Sequence, residues 1–419
     1  MLGGYKAGFN MQTKKLCILG STGSVGESTL SVIQAHRERF QVFALSAYTN
    51  LDLLLSQCQI YKPVYVAVKT ELADQFRQML SEAKLTIEVL ADITGCVALV
   101  KHQEVDIVVS AIVGAAGLKP TLAALQSAKR VLIANKEPLV MAGDILMRAA
   151  RDSGAELLPL DSEHNAVFQA LPMNYDCANR YIKQITLTAS GGPFLDTPLD
   201  ELPYVKPEQA CRHPNWSMGA KISVDSASMM NKGLELIEAM QLFNLEPEQL
   251  KVVIHRESVV HALVEFGDHA VLAQMSTPDM RIPIAHALAW PERITTEVPR
   301  LDLTQYQQLN FGELDRERFP CLVLAEKAAT MGGYAPVVLN AANEVAVAAF
   351  LAGKIAFTDI AKIVAHSLKT IEVYSSDANA QAMDYKDVDP DQQIEQILAV
   401  DQQVRNHTNK RLYTHALSI

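Results

Sequence analysis

Between residues 15 and 160, short apolar and β-branched runs recur at intervals: "KLCILG", "QVFALSA", "VYVAV", "DIVVSAI", "RVLIANK" and "AELLPL". Helix-length amphipathic stretches separate them. Strands that read as continuous apolar runs are buried on both faces, so the pattern predicts βαβ units and a parallel sheet covered by helices. From about residue 180 the texture changes. "YIKQITLTASGGPF" and "KVVIHRESVVHALVEFGDHAVLAQM" read as longer, adjacent strands, the second an antiparallel hairpin turning at Gly267-Asp268. An amphipathic helix is expected between them, over 226–243. A Pro- and polar-rich connector, "LAWPERITTEVPRLDLTQYQQLNFGELD", then leads into residues 322–419, whose periodicity is mostly helical. There "NAANEVAVAAFLAGK" reads as one helix with Gly353 as its C-cap.

Size and charge narrow the class. A chain of 419 residues, 49% hydrophobic, is too long for one core and implies several domains. A formal net charge of −10 argues against a general nucleic-acid binder, so an anionic ligand must be held by local Lys, Arg or backbone N–H groups. The cysteines (Cys17, Cys58, Cys96, Cys177, Cys211, Cys321) are scattered without a CxxC pair, as expected of reduced thiols. The apolar run at 105–118 carries Asp106 and is too short to cross a bilayer, and "MLGGYKAGFNMQTKK" lacks the apolar core of a signal peptide. Met11 stands just before the first strand, so residues 1–10 read as an upstream start or an appended piece. The expectation is a cytoplasmic protein without membrane or nucleic-acid partners.

"LCILGSTGSVGESTL" sets Gly20, Gly23 and Gly26 directly after a strand and at the opening of a helix. Glycines in that context permit a tight turn, close approach to a pyrophosphate and close helix–strand packing, and the helix N-terminus adds N–H groups. The first domain is therefore expected to be Rossmann-like. An NAD site ordinarily ends its second strand with an acid for the ribose 2′-OH. Here Tyr48, Thr49 and Asn50 come first, and Asp52 falls in the first turn of the next helix. That absence favours NADP, although no Arg or Lys marks a 2′-phosphate either.

"LLPLDSEHNAVFQAL" places Asp161, Glu163 and His164 at the carboxyl end of the last parallel strand. Two readings stand. The acids are a helix start with Ser162 at the N-cap, or they are oxygen ligands for Mg²⁺ or Mn²⁺. The predicted helix "DSASMMNKGLELIEAMQLF" puts Ser228, Asn231, Lys232 and Glu235 on one face, which offers a third acid and an anion clamp or simply an exposed ion pair. "ACRHPNWSMGAK" reads as a loop carrying Arg212, His213, Trp216 and Met218, either a lid or a stretch packed on its own domain. "TASGGPF" offers Ser190 and turn N–H groups to a phosphate, and "VLIANKEPLV" ends a strand with Asn135, Lys136 and Glu137.

Taken together, "GSTGSVG", "ANKE", "LDSEHNA", "ASGGPF", "CRHPNWSMGAKISVDSASMMNKGLE", "STPDMRIPIAHALAWP" and "NAANEVAVAAF" resemble the 1-deoxy-D-xylulose 5-phosphate reductoisomerase family of isoprenoid synthesis, in the family's order and from about Lys15 onward. The resemblance implies a Rossmann-like NADPH-binding domain over 1–161, a central α+β catalytic and dimerisation domain over 162–290, a linker over 291–321 and a helical domain over 322–419. It implies that Asp161, Glu163 and Glu235 hold one Mg²⁺ or Mn²⁺. Ser162 and Lys136 would contact the phosphorylated substrate beside the metal, with Glu235 near it too. Ser190, Ser226, Asn231 and Lys232 would bind its phosphate. His213 and Trp216, in the 212–220 loop, would close over it. Thr22, Gly23, Ser24 and Val25 would hold the cofactor's pyrophosphate, with Ala47, Asn50, Asn135, Glu137 and Gly219 also along the cofactor. Lys136, Glu163 and His213 are the catalytic candidates, and a homodimer is implied.

The implied reaction is a skeletal rearrangement by retro-aldol cleavage and aldol recombination, followed by reduction of the resulting aldehyde by NADPH. A cation would stabilise enolate and alkoxide charge in a closed, water-poor cleft. Remote phosphate binding would hold the lid and orient the substrate. The sequence departs from the family at one place. A Gly-basic-Asn run usually follows the second strand, where the 2′-phosphate sits, and here Tyr48-Thr49-Asn50 stands instead. The alternatives are an NADP-linked semialdehyde or homoserine-type dehydrogenase, or a non-catalytic nucleotide-sensing protein.

Overall fold

The computed structural model describes residues 13–172, 181–212, 219–370 and 388–416. The first unit alternates strand and helix: β1 (Lys14–Leu19), α1 (Ser24–Ala35), β2 (Phe40–Ser46), α2 (Leu51–Tyr61), β3 (Tyr65–Val68), α3 (Thr70–Glu82), β4 (Glu88–Ala91), α4 (Asp92–Lys101), β5 (Ile107–Ser110), α5 (Leu118–Gln126), β6 (Arg130–Ile133), α6 (Glu137–Ser153), β7 (Glu156–Pro159) and α7 (Ser162–Ala170). The seven strands form one sheet in the order β4-β3-β2-β1-β5-β6-β7, parallel throughout. Order reverses between β1 and β5, the switch point at which such sheets bind ligands. On β1, Leu16 and Ile18 face one apolar core while Cys17 and Leu19 face the other. Burial on both faces is why the strand reads as an unbroken apolar run. The edge strand β4 was not anticipated, because it is four residues long and only Val89 of it is buried.

The second sheet combines β8 (Ile182–Ala189), β9 (Leu250–Ile254), β10 (Val260–Phe266) and β11 (Val271–Met275) in the order β11-β10-β8-β9. β10 and β11 make the expected antiparallel hairpin, with 267–270 as its turn, whereas β9 runs parallel to β8. Short α8 (Pro207–Ala210), then α9 (Ala220–Ala227) and α10 (Met230–Phe243), lie between β8 and β9.

The single helix expected over 226–243 is in fact two. Met229 adopts a left-handed backbone (φ 60°), an unusual conformation for a residue with a side chain. Ser228 supports the break: its hydroxyl donates to the Asp225 carbonyl at 3.2 Å and accepts from the Met230 N–H at 3.4 Å. A local side-chain bond has displaced the helical ladder.

α11 (Arg281–Ala289) lies in the segment assigned by sequence to the central domain. Its Ile284, Ala285 and Leu288 nevertheless join the core on the α1 side of the first sheet. The remaining helices are α12 (Pro320–Met331), α13 (Ala335–Leu351), α14 (Asp359–Lys369) and α15 (Pro390–Ala416). α13 is buried nearly all round and touches α6 and α9 as well as its helical neighbours, so the C-terminal helices share one continuous core with the α5–α6 side of the sheet. Gly353 stands one residue past the cap of α13 at φ 69°, its N–H bonded to the Phe350 carbonyl at 2.8 Å. Among the described residues no helix is long and apolar enough to cross a membrane.

Candidate active site at the carboxyl edge of the sheet

β6 and β7 are neighbours at one edge of the first sheet, and the chain leaving each carries charge. Lys136 stands at the N-cap of α6. Asp161 stands at the N-cap of α7, its carboxylate accepting from the Glu163 N–H at 3.4 Å. The cap is therefore Asp161 and not Ser162. Asp161 lies just outside the helix and can reach back to a free N–H, whereas Ser162 is already in the first turn and donates its hydroxyl to the Glu163 carboxylate.

The start of α10 faces these two helix ends. Lys136 Nζ lies 2.7 Å from Asp161 Oδ2, 3.0 Å from Glu235 Oε1 and 2.9 Å from Asn231 Oδ1. Lys232 Nζ lies 2.6 Å from Glu163 Oε1 and also pairs with Glu235, which accepts from the Asn231 amide. The helix stripe predicted by sequence loses one member. Ser228 is turned into the helix break, and Met229 takes its place on the cleft wall.

Each side chain's charge state follows from burial set against neighbours. Burial works against the ammonium of Lys136, but Asp161, Glu235 and Glu238 together outweigh it and hold the group protonated. Lys232 is raised likewise by Glu163 and Glu235. Burial alone would raise Asp161, yet Lys136, His164 and Lys232 keep it far below the ordinary carboxylate range. Glu163 goes the other way: burial, then the Glu235 charge, pushes it up to about 7 against the pull of Lys232.

The acids also fit a cation geometrically. One oxygen each of Asp161, Glu163 and Glu235 can be chosen so that all lie within 4.8 Å of one another. Glu235 is 1% exposed, with its Oε1 facing Lys136 and Asn231 and its Oε2 facing the Lys232 ammonium. Three carboxylates held so close repel one another, a cost that a hard divalent cation would offset. A second set, Asp161 with His164 and Glu238, has comparable spacing. His164 and Glu238 are sealed behind the cleft wall, where His164 Nε2 meets the Glu235 carbonyl at 2.9 Å. Glu238, 3.2 Å away, raises His164 to about 9 despite its burial.

These groups border a cleft of about 380 Å³. Lys136, Asp161, Ser162, Glu163, Asn231, Lys232 and Glu235 line one part; Ser190 and Ser226 line another; Ser24 and Val25, from the start of α1, close it on the nucleotide side. Gly192 lets the Ser190 turn approach α9. It sits at φ 67°, and a Cβ there would lie 2.8 Å from the Ser226 carbonyl oxygen. Gly26 does the same for the nucleotide loop, where a Cβ would fall 2.5 Å from the Gly20 carbonyl oxygen. A second cavity of about 370 Å³, beside β9, is lined by Leu236, Phe311 and Arg316 among others and has no converging acids.

The remaining expected cofactor contacts do not line the cleft. Thr22 and Gly23 are at the surface of the loop, Ala47 is buried, and Asn50 caps α2 by accepting from the Leu53 N–H at 3.2 Å. The Asn135 amide donates to the Gly114 carbonyl at 2.9 Å and to that of Ile112. Glu137 turns its carboxylate to Lys221, 2.9 Å away, and Gly219 caps α9. His213 and Trp216 lie outside the described residues. Sequence reasoning missed Met229, Ser258, His261 and Met280, which the fold also brings to the cleft. His261, buried on β10 and hydrogen-bonded to Ser276, is held neutral at about 4 by burial. Its signal was a polar residue in an apolar strand.

Three family models match in order: 1-deoxy-D-xylulose 5-phosphate reductoisomerase over residues 16–143, its C-terminal domain over 157–243, and the DXP reductoisomerase C-terminal domain over 275–407. A 1-deoxy-D-xylulose 5-phosphate reductoisomerase of Ectopseudomonas mendocina is 55% identical over 382 residues, covering 88% of this chain and 97% of its own. The chain belongs to the 1-deoxy-D-xylulose 5-phosphate reductoisomerase family. The reductoisomerase of Methylococcus capsulatus is also 55% identical, over 87% of this chain and 94% of its own. Among solved structures, a reductoisomerase in complex with NADPH, fosmidomycin and magnesium superposes with a TM-score of 0.91 at 46% identity, over 96% of this chain and 98% of that one. The Zymomonas mobilis reductoisomerase in complex with NADPH gives 0.85 at 41% identity, over 96% and 99%. Membership in this reductoisomerase family sets aside the homoserine-type dehydrogenase alternative.

Proposed function

We propose that this chain uses NADPH and one Mg²⁺ or Mn²⁺ to rearrange and reduce 1-deoxy-D-xylulose 5-phosphate to 2-C-methyl-D-erythritol 4-phosphate in the β6–β7–α10 cleft. The observation that carries this reading is the convergence of Asp161, Glu163 and Glu235 beside two buried lysines, in a cleft that reaches the glycine loop. The three acids would hold the cation, which when bound supplies Lewis acidity toward neighbouring substrate oxygens. Ser162 and Lys136 would orient the substrate hydroxyls beside it, with Lys136 as a fixed positive charge. Ser190, Ser226, Asn231 and Lys232 would take the phosphate, a task for which the protonated Lys232 at the start of α10 is suited. Glu163 is the candidate for proton transfer. His213 and Trp216 would cover the substrate.

The dinucleotide would lie along Thr22, Gly23, Ser24 and Val25, with Ala47, Asn50, Asn135, Glu137 and Gly219 flanking it. The assembly is proposed to be a homodimer and the location cytoplasmic, in keeping with the bacterial relatives. The deciding experiment is NADPH oxidation by the purified protein with deoxyxylulose phosphate, with and without Mn²⁺. Turnover only in the presence of the cation is expected. Cation-independent turnover, or none, overturns the proposal.

A further inference from the structure

Nothing at the end of β2 supplies a cation for a cofactor 2′-phosphate, since Tyr48-Thr49-Asn50 stands there. The fold supplies one from the next strand. In the sheet β2 lies between β1 and β3, so the connection leaving β2 is flanked by the glycine loop on one side and the end of β3 on the other. Hydrogen bonds tie the three together. Ser21 N–H donates to the Ser46 carbonyl at 2.8 Å, Gly20 N–H donates to Ser46 Oγ at 3.0 Å, and Ala47 N–H donates to the Ala67 carbonyl at 3.1 Å. Gln57 of α2 further clamps the loop, donating to the Ser21 carbonyl at 2.9 Å and accepting from its hydroxyl at 2.7 Å.

On that braced platform Tyr48 is 68% exposed, and Lys69, which follows β3, holds its Nζ 4.6 Å from the Tyr48 ring centroid. Resting an ammonium on a tyrosine face at the surface is a weak attachment, readily exchanged for a phosphate dianion. The neighbouring acids are Glu71, in the first turn of α3, and Asp92, whose carboxylate takes the Thr70 N–H at 3.3 Å and the Thr70 hydroxyl.

We infer that Lys69 and Tyr48 form the subsite for the 2′-phosphate of the adenosine ribose, so that the discriminating cation comes from the end of the third strand. In an open α/β sheet the adenosine half of a dinucleotide lies at the carboxyl ends of the strands on one side of the switch point, with the ribose 2′ position at the end of the second strand. A lysine reaching over that position from the third strand meets the phosphate as a compact charge, and the Tyr48 hydroxyl can donate a hydrogen bond beside it. This assignment rests on the NADPH reading above.

The test is equilibrium binding of NADPH, NADH, 2′,5′-ADP and ADP to the full-length protein by calorimetry, accompanied by KM for both cofactors. Lys69→Met is expected to weaken NADPH and 2′,5′-ADP by roughly 10- to 100-fold, the loss expected for one charge-assisted contact, with NADH and ADP changed less than about twofold. Lys69→Glu should lose NADPH further and leave NADH binding near the wild-type value. Unchanged NADPH binding in Lys69→Met, or equal losses for all four ligands, overturns the assignment. A wild-type protein that binds NADH as tightly as NADPH would instead overturn the cofactor reading on which it rests.

Discussion

Two buried ion-pair networks flank Lys136 and Glu137, adjacent residues at the start of α6, and they come to opposite ends. The first is the cleft network of Asp161, Glu163, Glu235, Lys136 and Lys232. The second runs away from the cleft: Lys221 Nζ bridges Glu137 and Asp225 at 2.9 Å each, and Asn343 donates to the other Asp225 oxygen at 2.8 Å. Beyond it, Arg405 joins Glu344 at 2.7 Å and Asp401 at 2.6 Å. In the second network every one of these carboxylates has a hydrogen-bonded partner, and its acids make no converging triple of the kind found in the cleft. In the first network three carboxylates crowd one space. Similar residues, similarly buried, therefore read as a ligand site in one place and as a brace between α6, α9, α13 and α15 in the other. Convergence of three carboxylates on one space decides which, and burial alone does not.

The largest effect expected is on the cleft side. Glu235→Gln should lower turnover by about 100-fold or more and abolish Mn²⁺ binding, as expected when a Lewis-acid site is emptied. It should also leave the unfolding midpoint unchanged or raised, because a like charge has been removed from a crowded site. Calorimetric Mn²⁺ titration and thermal melts check both halves; a lower midpoint with intact Mn²⁺ affinity would make this network structural too. Asp161→Asn should likewise abolish Mn²⁺ binding, but should lower the midpoint, because Lys136 and its other cationic neighbours favour the ionised carboxylate in the folded state.

The opposite pattern is expected of the brace. Lys221→Met leaves Glu137 and Asp225 as buried charges without their shared cation, and should cost about 3 kcal/mol, the low end for a broken buried pair because Lys221 keeps part of its side chain exposed. Urea unfolding reads that loss, and Mn²⁺ affinity should hold. A fall in Mn²⁺ affinity with unchanged stability would erase the distinction.

The smallest effect is on acid stability, to which two histidines outside both networks contribute. Burial holds His261 and His286 near 4, below the 6.5 of the unfolded chain. Between those values the unfolded state binds more protons, so stability is fully present above about pH 6.5 and declines as pH falls toward 4. Glu137, whose value lies below the ordinary range under the Lys221 charge despite its burial, keeps its contribution through that window. His286 is packed among Phe168 and Trp290, so His286→Phe should flatten the curve of melting temperature against pH by a few degrees. An unchanged slope would assign the loss to the carboxylates after all.

How much of this was legible varies with the physics involved. The parallel sheet was, because strands buried on both faces need unbroken apolar runs. The glycine loop was, because backbone turns demand particular residues. β4 was not, since an edge strand of four residues has little apolar surface to declare itself. The helix break at Met229 was not, because it depends on Ser228 bonding locally, which competes evenly with helix in any sequence. Of the acids, Asp161 and Glu163 stood together in the sequence, but Glu235 looked like half of an exposed i, i+3 pair with Lys232. The pair does form, at 2–4% side-chain exposure, and burial changes its meaning.

By itself the sequence determined the element order, the switch from parallel to antiparallel texture, the nucleotide loop and the residue types available for a cation and a phosphate. These are local matters, governed by periodicity and backbone conformation. Only the tertiary structure decided which charges meet: that Glu235 crosses about 70 positions of chain to join Asp161, that Glu137 turns away to Lys221, and that Lys69 comes to lie over Tyr48. A charge's role is set by its distance to other charges and by the water excluded around it, and chain order specifies neither.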